Sequence, residues 1–142
     1  MATVLEQAGN AVHGSDLYDR GYGEAGVDFL NTSRTADNII MNPPSNAAEG
    51  FVRAGLASAN RKLALLMHLA FLEVGNRQRT IFSVHPPSRV WVFSERVTFY
   101  PKGAVQKGSG TTAYVWFVWD KSHSGGTELR WSEPKYKRRS LV

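Results

Sequence analysis

Apolar and polar positions change period several times along this chain, and each change marks an element. Val4 and Leu5 precede Gly9-Asn10, which predicts a helix end over residues 2–9. Residues 11–15 read as a short strand that ends at Asp16, followed by a polar, glycine-rich loop to Gly26. Val27, Phe29 and Leu30 form a brief apolar segment broken by Asp28. Residues 38–41 are a strand that runs straight into Asn42-Pro43-Pro44. Two prolines remove two backbone donors and fix two φ angles, and Asn42 before them is pushed into an extended conformation. The chain is therefore stiff where it leaves that strand.

Ala48, Phe51, Val52, Leu56 and Ala59 recur at helical spacing, which predicts a helix over 47–60 capped by Ser45 or Asn46. The run KLALLMHL that follows is read as a buried parallel strand, because it comes after a helix. Residues 70–82 are expected to be loop and helix, closed by Pro86-Pro87. Segments 89–100 and 111–119 are rich in Val, Phe, Tyr, Trp and Thr and are the strongest strands; 127–131 adds a short one. Strand and helix alternate first and an antiparallel pair follows. This order predicts an open α/β sheet, mostly parallel, with an antiparallel C-terminal edge. Residues 1–134 are expected to form a single domain and 135–142 a basic tail. Ligands of such sheets bind beyond the carboxyl ends of the strands, and Asp16, Asp28 and Asn42 fall near three such ends.

Composition narrows the class. At 142 residues and 42% hydrophobic, the chain can bury a core and is not disordered. It has no cysteine, which excludes disulfides and thiolate metal sites and suits a cytoplasmic setting. No apolar run is long enough to cross a membrane, so no membrane partner is expected. A net charge of +5 favours a polyanion, with nucleic acid ahead of a lipid surface. His13, His68, His85 and His123 show no metal-ligand spacing, and His68 is read as a core or strand-end residue.

The pieces SDLYDRGYG, GVDFL, NIIMNPPSNAAEGFVRAGL, KLALLMHLAFLE, PPSRVWVFSERVTFYPKG and TTAYVWFVWDK, taken in order, resemble phage-type DNA adenine methyltransferases. The resemblance implies a Rossmann-like sheet and methylation of the adenine exocyclic amine in DNA, with S-adenosyl-L-methionine as donor. It also implies that Asp16, with the adjoining Leu17, binds the cofactor's ribose. Asp28 would bind its adenine, with Phe29 beside the ring. Asn42 and the Pro43 carbonyl would hold the two hydrogens of the target amine, and Pro44 would stiffen the loop. Catalysis of this kind is mostly positioning.

The sequence departs from the family in two places. Ser45 stands where the family carries an aromatic residue that stacks on the base; Trp91, Phe99 and Tyr100 are the substitutes considered. The family's first strand and glycine-rich loop are missing, so the chain is read as an N-terminally shortened copy with a sheet edge open to self-association. Gly21-Tyr22-Gly23 and Gly108-Ser109-Gly110 are read as ordinary loops. Two rival readings follow: an inactive DNA-binding remnant, or the same loop acting on an RNA adenine or a glutamine amide. Glu49 is expected on a solvated helix turn, and Trp116, Phe117 and Trp119 on sheet faces. Arg77, Arg79, Lys102 and Lys107 are candidate phosphate contacts, with a solvated loop as the default, and the same default holds for Lys135, Lys137, Arg138 and Arg139.

Overall fold

A computed structural model describes residues 1–73, 75–99 and 111–133. Tyr100, Lys102, Lys107, the Gly108-Ser109-Gly110 pattern and the basic tail from Lys135 lie outside the described residues. The chain is a mixed α/β structure that divides into two compact units, Met1–Arg34 and Thr35–Val142. No helix among the described residues is long and apolar enough to cross a membrane.

In the first unit, helix α1 (Ala2–Gln7) ends before Gly9, whose φ of +84° is a left-handed conformation that glycine adopts without penalty. Strands β1 (Ser15–Asp16) and β2 (Glu24–Ala25) pair in parallel, Ser15 opposite Glu24 and Asp16 opposite Ala25. The strand expected over 11–15 is thus reduced to two residues, Ser15 and Asp16. The apolar segment after it is not a strand either. Residues Phe29–Asn31 form a 3-10 turn capped by Asp28, whose Oδ1 accepts from Leu30 N–H at 3.0 Å. An aspartate offers the backbone a local bond that competes with a sheet ladder, and here the local bond wins. No residue of this unit is buried. Its loops are tied by polar contacts: Tyr22 Oη donates to Glu6 at 2.7 Å, and Arg34 grips Glu24 with bonds of 2.5 and 2.9 Å. That grip, led by the Arg34 hydrogen bonds, holds the Glu24 carboxyl below its usual range.

The second unit is a five-stranded sheet in the order β3-β4-β6-β5-β7. Strand β3 (Ala36–Met41) runs parallel to β4 (Ala59–His68), and helix α2 (Ala48–Ser58) makes the crossover that a parallel pair requires. Strand β6 (Tyr114–Asp120) is antiparallel to both β4 and β5 (Arg89–Val92), while β7 (Glu128–Trp131) is parallel to β5.

The antiparallel strand is therefore third in the order and not at the edge, contrary to the expectation from sequence. Its composition explains the position. Val115, Phe117 and Trp119 share one face and are 0%, 0% and 5% exposed, so β6 needs cover that an edge cannot give. Strand β3 takes the end of the order instead. Asp37 and Asn38 are exposed on it, which a central strand could not tolerate. The expected run of β5 to residue 100 stops at Val92, after which Ser94 bonds to Ser132.

Helix α2 buries Ala48, Val52, Gly55 and Ser58, one stripe at helical spacing, against β4. Neither Ser45 nor Asn46 caps it. Ala47 is the cap residue and makes no side-chain bond, because residues Ser45–Ala47 form a 3-10 turn closed by Ala47 N–H on the Pro44 carbonyl at 3.0 Å. Below the sheet, Phe71 meets Phe117 and Phe82 edge-on at 5.7 and 5.8 Å, and joins Leu63, Leu65, Ile81 and Val90 in the core.

Candidate functional site

Strands β3 and β4 end on the same side of the sheet, and β6 begins there. Met41, the last residue of β3, pairs with Leu65, and His68 closes β4 three residues later, opposite Tyr114. These ends surround a cavity of about 270 Å³. Asn42, Pro43 and Ser45 of the loop line it, with His68 and Tyr114 from the strand ends and Phe71, Glu73 and Arg77 from the segment after β4. The carboxyl ends of a parallel pair are where ligands of open α/β sheets bind.

The proline loop is placed by its sequence. Pro43 is buried and anchors the bend, while Asn42, Pro44 and Ser45 are exposed. Pro44 has φ −58° and ψ 135°, and its carbonyl is occupied by the turn that follows. The two proline φ angles stiffen the backbone after Asn42, whose exposed carboxamide can both accept and donate.

Beside the loop the lining is polar and aromatic. The Ser45 hydroxyl lies 3.3 Å from His68 Nε2, and the Tyr114 hydroxyl lies 3.0 Å from the same nitrogen. Of the two places the sequence left open for His68, core or strand end, it takes the strand end. Phe99 meets the Tyr114 ring edge-on at 4.9 Å, with the centroids of Tyr114 and His68 4.7 Å apart. Trp91 does not line the cavity; on β5 it pairs with Trp116 and Arg130.

Tyr114, Phe71 and Arg77 were not singled out together by sequence reasoning. The signal that would have found Tyr114 is the β4–β6 register, which places it across from His68 and which neither strand encodes alone. Arg77 was a candidate phosphate contact, and the structure separates it from Arg79. Arg77 is half-buried at the cavity rim, whereas Arg79 is exposed and outside the lining. Glu49 is not merely solvated: its Oε1 accepts from Arg53 at 3.0 Å and from Thr80 at 3.4 Å, joining α2 to the π-helical segment Gln78–Phe82.

The other predicted residues lie in the first unit. Asp16 and Asp28 sit on adjoining segments, since Val27 N–H donates to the Asp16 carbonyl at 3.1 Å. Asp16 Oδ1 accepts from Tyr18 N–H at 2.8 Å and faces Arg20 Nε at 3.6 Å, and Oδ2 accepts no hydrogen bond among the described residues, which suits a ligand hydroxyl. Asp28 uses both oxygens on its own turn, the second on Asn31 at 2.6 Å. Leu17 is 50% exposed and Phe29 is half-buried. Gly21 and Gly23, both with φ +73°, lie between β1 and β2 and open no helix. Among the described residues there is no glycine turn between a strand and a helix that would cradle the amino-acid end of S-adenosylmethionine. The fit is confined to a hydroxyl at Asp16.

Compared with protein-family models, with curated proteins and with solved structures, the chain matches none.

Proposed function

We propose that the cavity beside Asn42 receives the exocyclic amine of adenine in DNA, as the site of an S-adenosylmethionine-dependent adenine methyltransferase with a Rossmann-like sheet. One observation carries this reading: the Asn-Pro-Pro bend lines an open cavity at the carboxyl end of a parallel pair, with Asn42 exposed and Pro43 buried beneath it. The Asn42 carboxamide oxygen and the Pro43 carbonyl would accept the two amine hydrogens. Held in two fixed directions, the nitrogen turns its lone pair outward, so the loop contributes positioning. A chain of net charge +5 suits a DNA partner. The base has to leave the duplex to enter, at a cost of a few kcal/mol.

A second reading has support from the first unit. Asp28 spends both carboxylate oxygens on its own turn, which favours a module that binds the base without the cofactor. Calorimetry separates the two. The methyltransferase reading expects heat with S-adenosylmethionine and methyl incorporation into adenine-containing DNA, both surviving in Ser45→Ala and the second lost in Asn42→Ala. DNA binding with no cofactor heat leaves the binding module. Unchanged methylation by Asn42→Ala overturns the role given to the loop.

A further inference from the structure

The cavity holds a cation that amine recognition does not use. Arg77 lies at its rim with the guanidinium carbon 4.4 Å from the centroid of the Phe71 ring, and Nη1 donates to the Phe71 carbonyl at 3.1 Å. Phe71 is itself fixed, 5% exposed and wedged edge-on between Phe82 and Phe117. The guanidinium is therefore held over the Phe71 ring before any ligand arrives. One of its five N–H groups is spent, and no carboxylate pairs with it among the described residues. Arg77 also opens the π-helical segment Gln78–Phe82, a backbone irregularity that recurs at functional sites.

We propose that Arg77 binds the phosphate of the nucleotide whose base enters beside Asn42. The ligand is then a nucleotide, read at two points of one cavity: the amine by Asn42 and Pro43, the phosphate by Arg77. This rests on the reading of the cavity as a base site. A planar guanidinium stacked on an aromatic ring presents a fixed fork, the geometry that suits a phosphate's oxygens. Glu73 lines the same rim and is exposed, so it repels a phosphate only weakly through water. His68 and Tyr114 line the same cavity.

The test compares 2′-deoxyadenosine with its 3′- and 5′-monophosphates and with a short single-stranded oligonucleotide containing one adenine. Calorimetry is run on the wild-type chain and on Arg77→Gln and Arg77→Lys. The expected result is that one monophosphate binds about tenfold tighter than the nucleoside at low salt, as one charge-assisted contact allows. Arg77→Gln loses that advantage while its nucleoside affinity stays unchanged, which also shows that the variant is folded. Arg77→Lys keeps part of it, because an ammonium supplies charge without the fork. Nucleoside binding with no phosphate gain, or a gain that survives in Arg77→Gln, overturns the Arg77 contact and leaves the base site standing. A gain confined to the oligonucleotide assigns it to other phosphates of the strand and overturns the contact as well. No binding of any of the four removes the base site and this contact together.

Discussion

The imidazole of His68 stands edge-on to the ring of Tyr114, at 84° with centroids 4.7 Å apart, and its Nε2 lies 3.0 Å from the Tyr114 hydroxyl. Ser45, from a loop twenty-three positions earlier, reaches the same nitrogen at 3.3 Å. An imidazole nitrogen carries either one proton or one lone pair, so it serves one of the two hydroxyls at a time. Each single removal should therefore be cheap, because the remaining hydroxyl takes the nitrogen. Tyr114→Phe and Ser45→Ala should each cost less than about 1 kcal/mol. The double variant should cost more than their sum, by about 0.5 kcal/mol. Urea denaturation of all four proteins measures this cycle, and strict additivity would show that the nitrogen is not shared.

Asn42 is exposed on a bend that Pro43 anchors, so its side chain supports little of the fold. Asn42→Ala should leave the melting temperature within the change expected for about 0.5 kcal/mol. The same variant should weaken 2′-deoxyadenosine binding about tenfold, as loss of one well-placed acceptor to a buried amine implies. Thermal melts and calorimetry on one preparation decide it. A large drop in melting temperature would recast Asn42 as a structural residue.

Gly55 faces β4 from α2. A Cβ there would sit 2.6 and 2.8 Å from the two methyl carbons of Leu63, which is 1% exposed and packed in the core. Alanine gains about 1 kcal/mol of helix propensity over glycine, but overpacking a filled core costs typically 1–3 kcal/mol. The steric cost should win, and Gly55→Ala should be destabilised by about 1 kcal/mol in chemical denaturation. Relieving the clash with Leu63→Val in the same chain should recover part of the loss.

Asp120 ends β6 where three strands meet. Its Oδ1 accepts from the Ser122 hydroxyl at 2.7 Å and from Ser122 N–H at 3.1 Å, while Oδ2 faces Lys62 at 3.5 Å and Arg89 at 3.7 Å. The Ser122 bonds chiefly, with Lys62 behind them, lower its pKa to about 2. A carboxyl whose folded pKa lies below its unfolded value gives stability that is complete above the unfolded value, near 4, and lost as pH falls through the folded one. The wild-type chain should thus lose stability between about pH 4 and pH 2, and Asp120→Asn should flatten that limb while being less stable at neutral pH. Melting curves from pH 2 to pH 7 test the sign: an unchanged acid limb would place the sensitivity on other carboxyls.

Much of the second unit is legible in sequence because its signals are local. The stripe of Ala48, Val52 and Leu56 marks α2, and the apolar run 62–69 marks β4, whose pairing with β3 is parallel as its place after a helix implies. In the first unit the helix end at Gly9 and the strand end at Asp16 are legible, but the length of that strand and the turn at Phe29–Asn31 are not, for the opposite reason. Its segments are short, none of its residues is buried, and Asp28 satisfies its own turn, so no core overrides local chemistry. The proline bend was legible as rigid, and its place beside a cavity followed from the rule for parallel strand ends. The rest of the site was not, since Tyr114 and Arg77 reach the cavity only through strand register and through the stacking of Arg77 on Phe71.

By itself, the sequence determined where the chain is stiff, where it is apolar and at what period, because proline geometry and side-chain hydrophobicity act within a few residues. Tertiary structure alone decided that β6 lies inside the order, that His68 faces Tyr114, and that Arg77 shares a cavity with Asn42. These are relations between segments far apart in the chain. They are set by which apolar faces can be buried together, and no single segment carries that information.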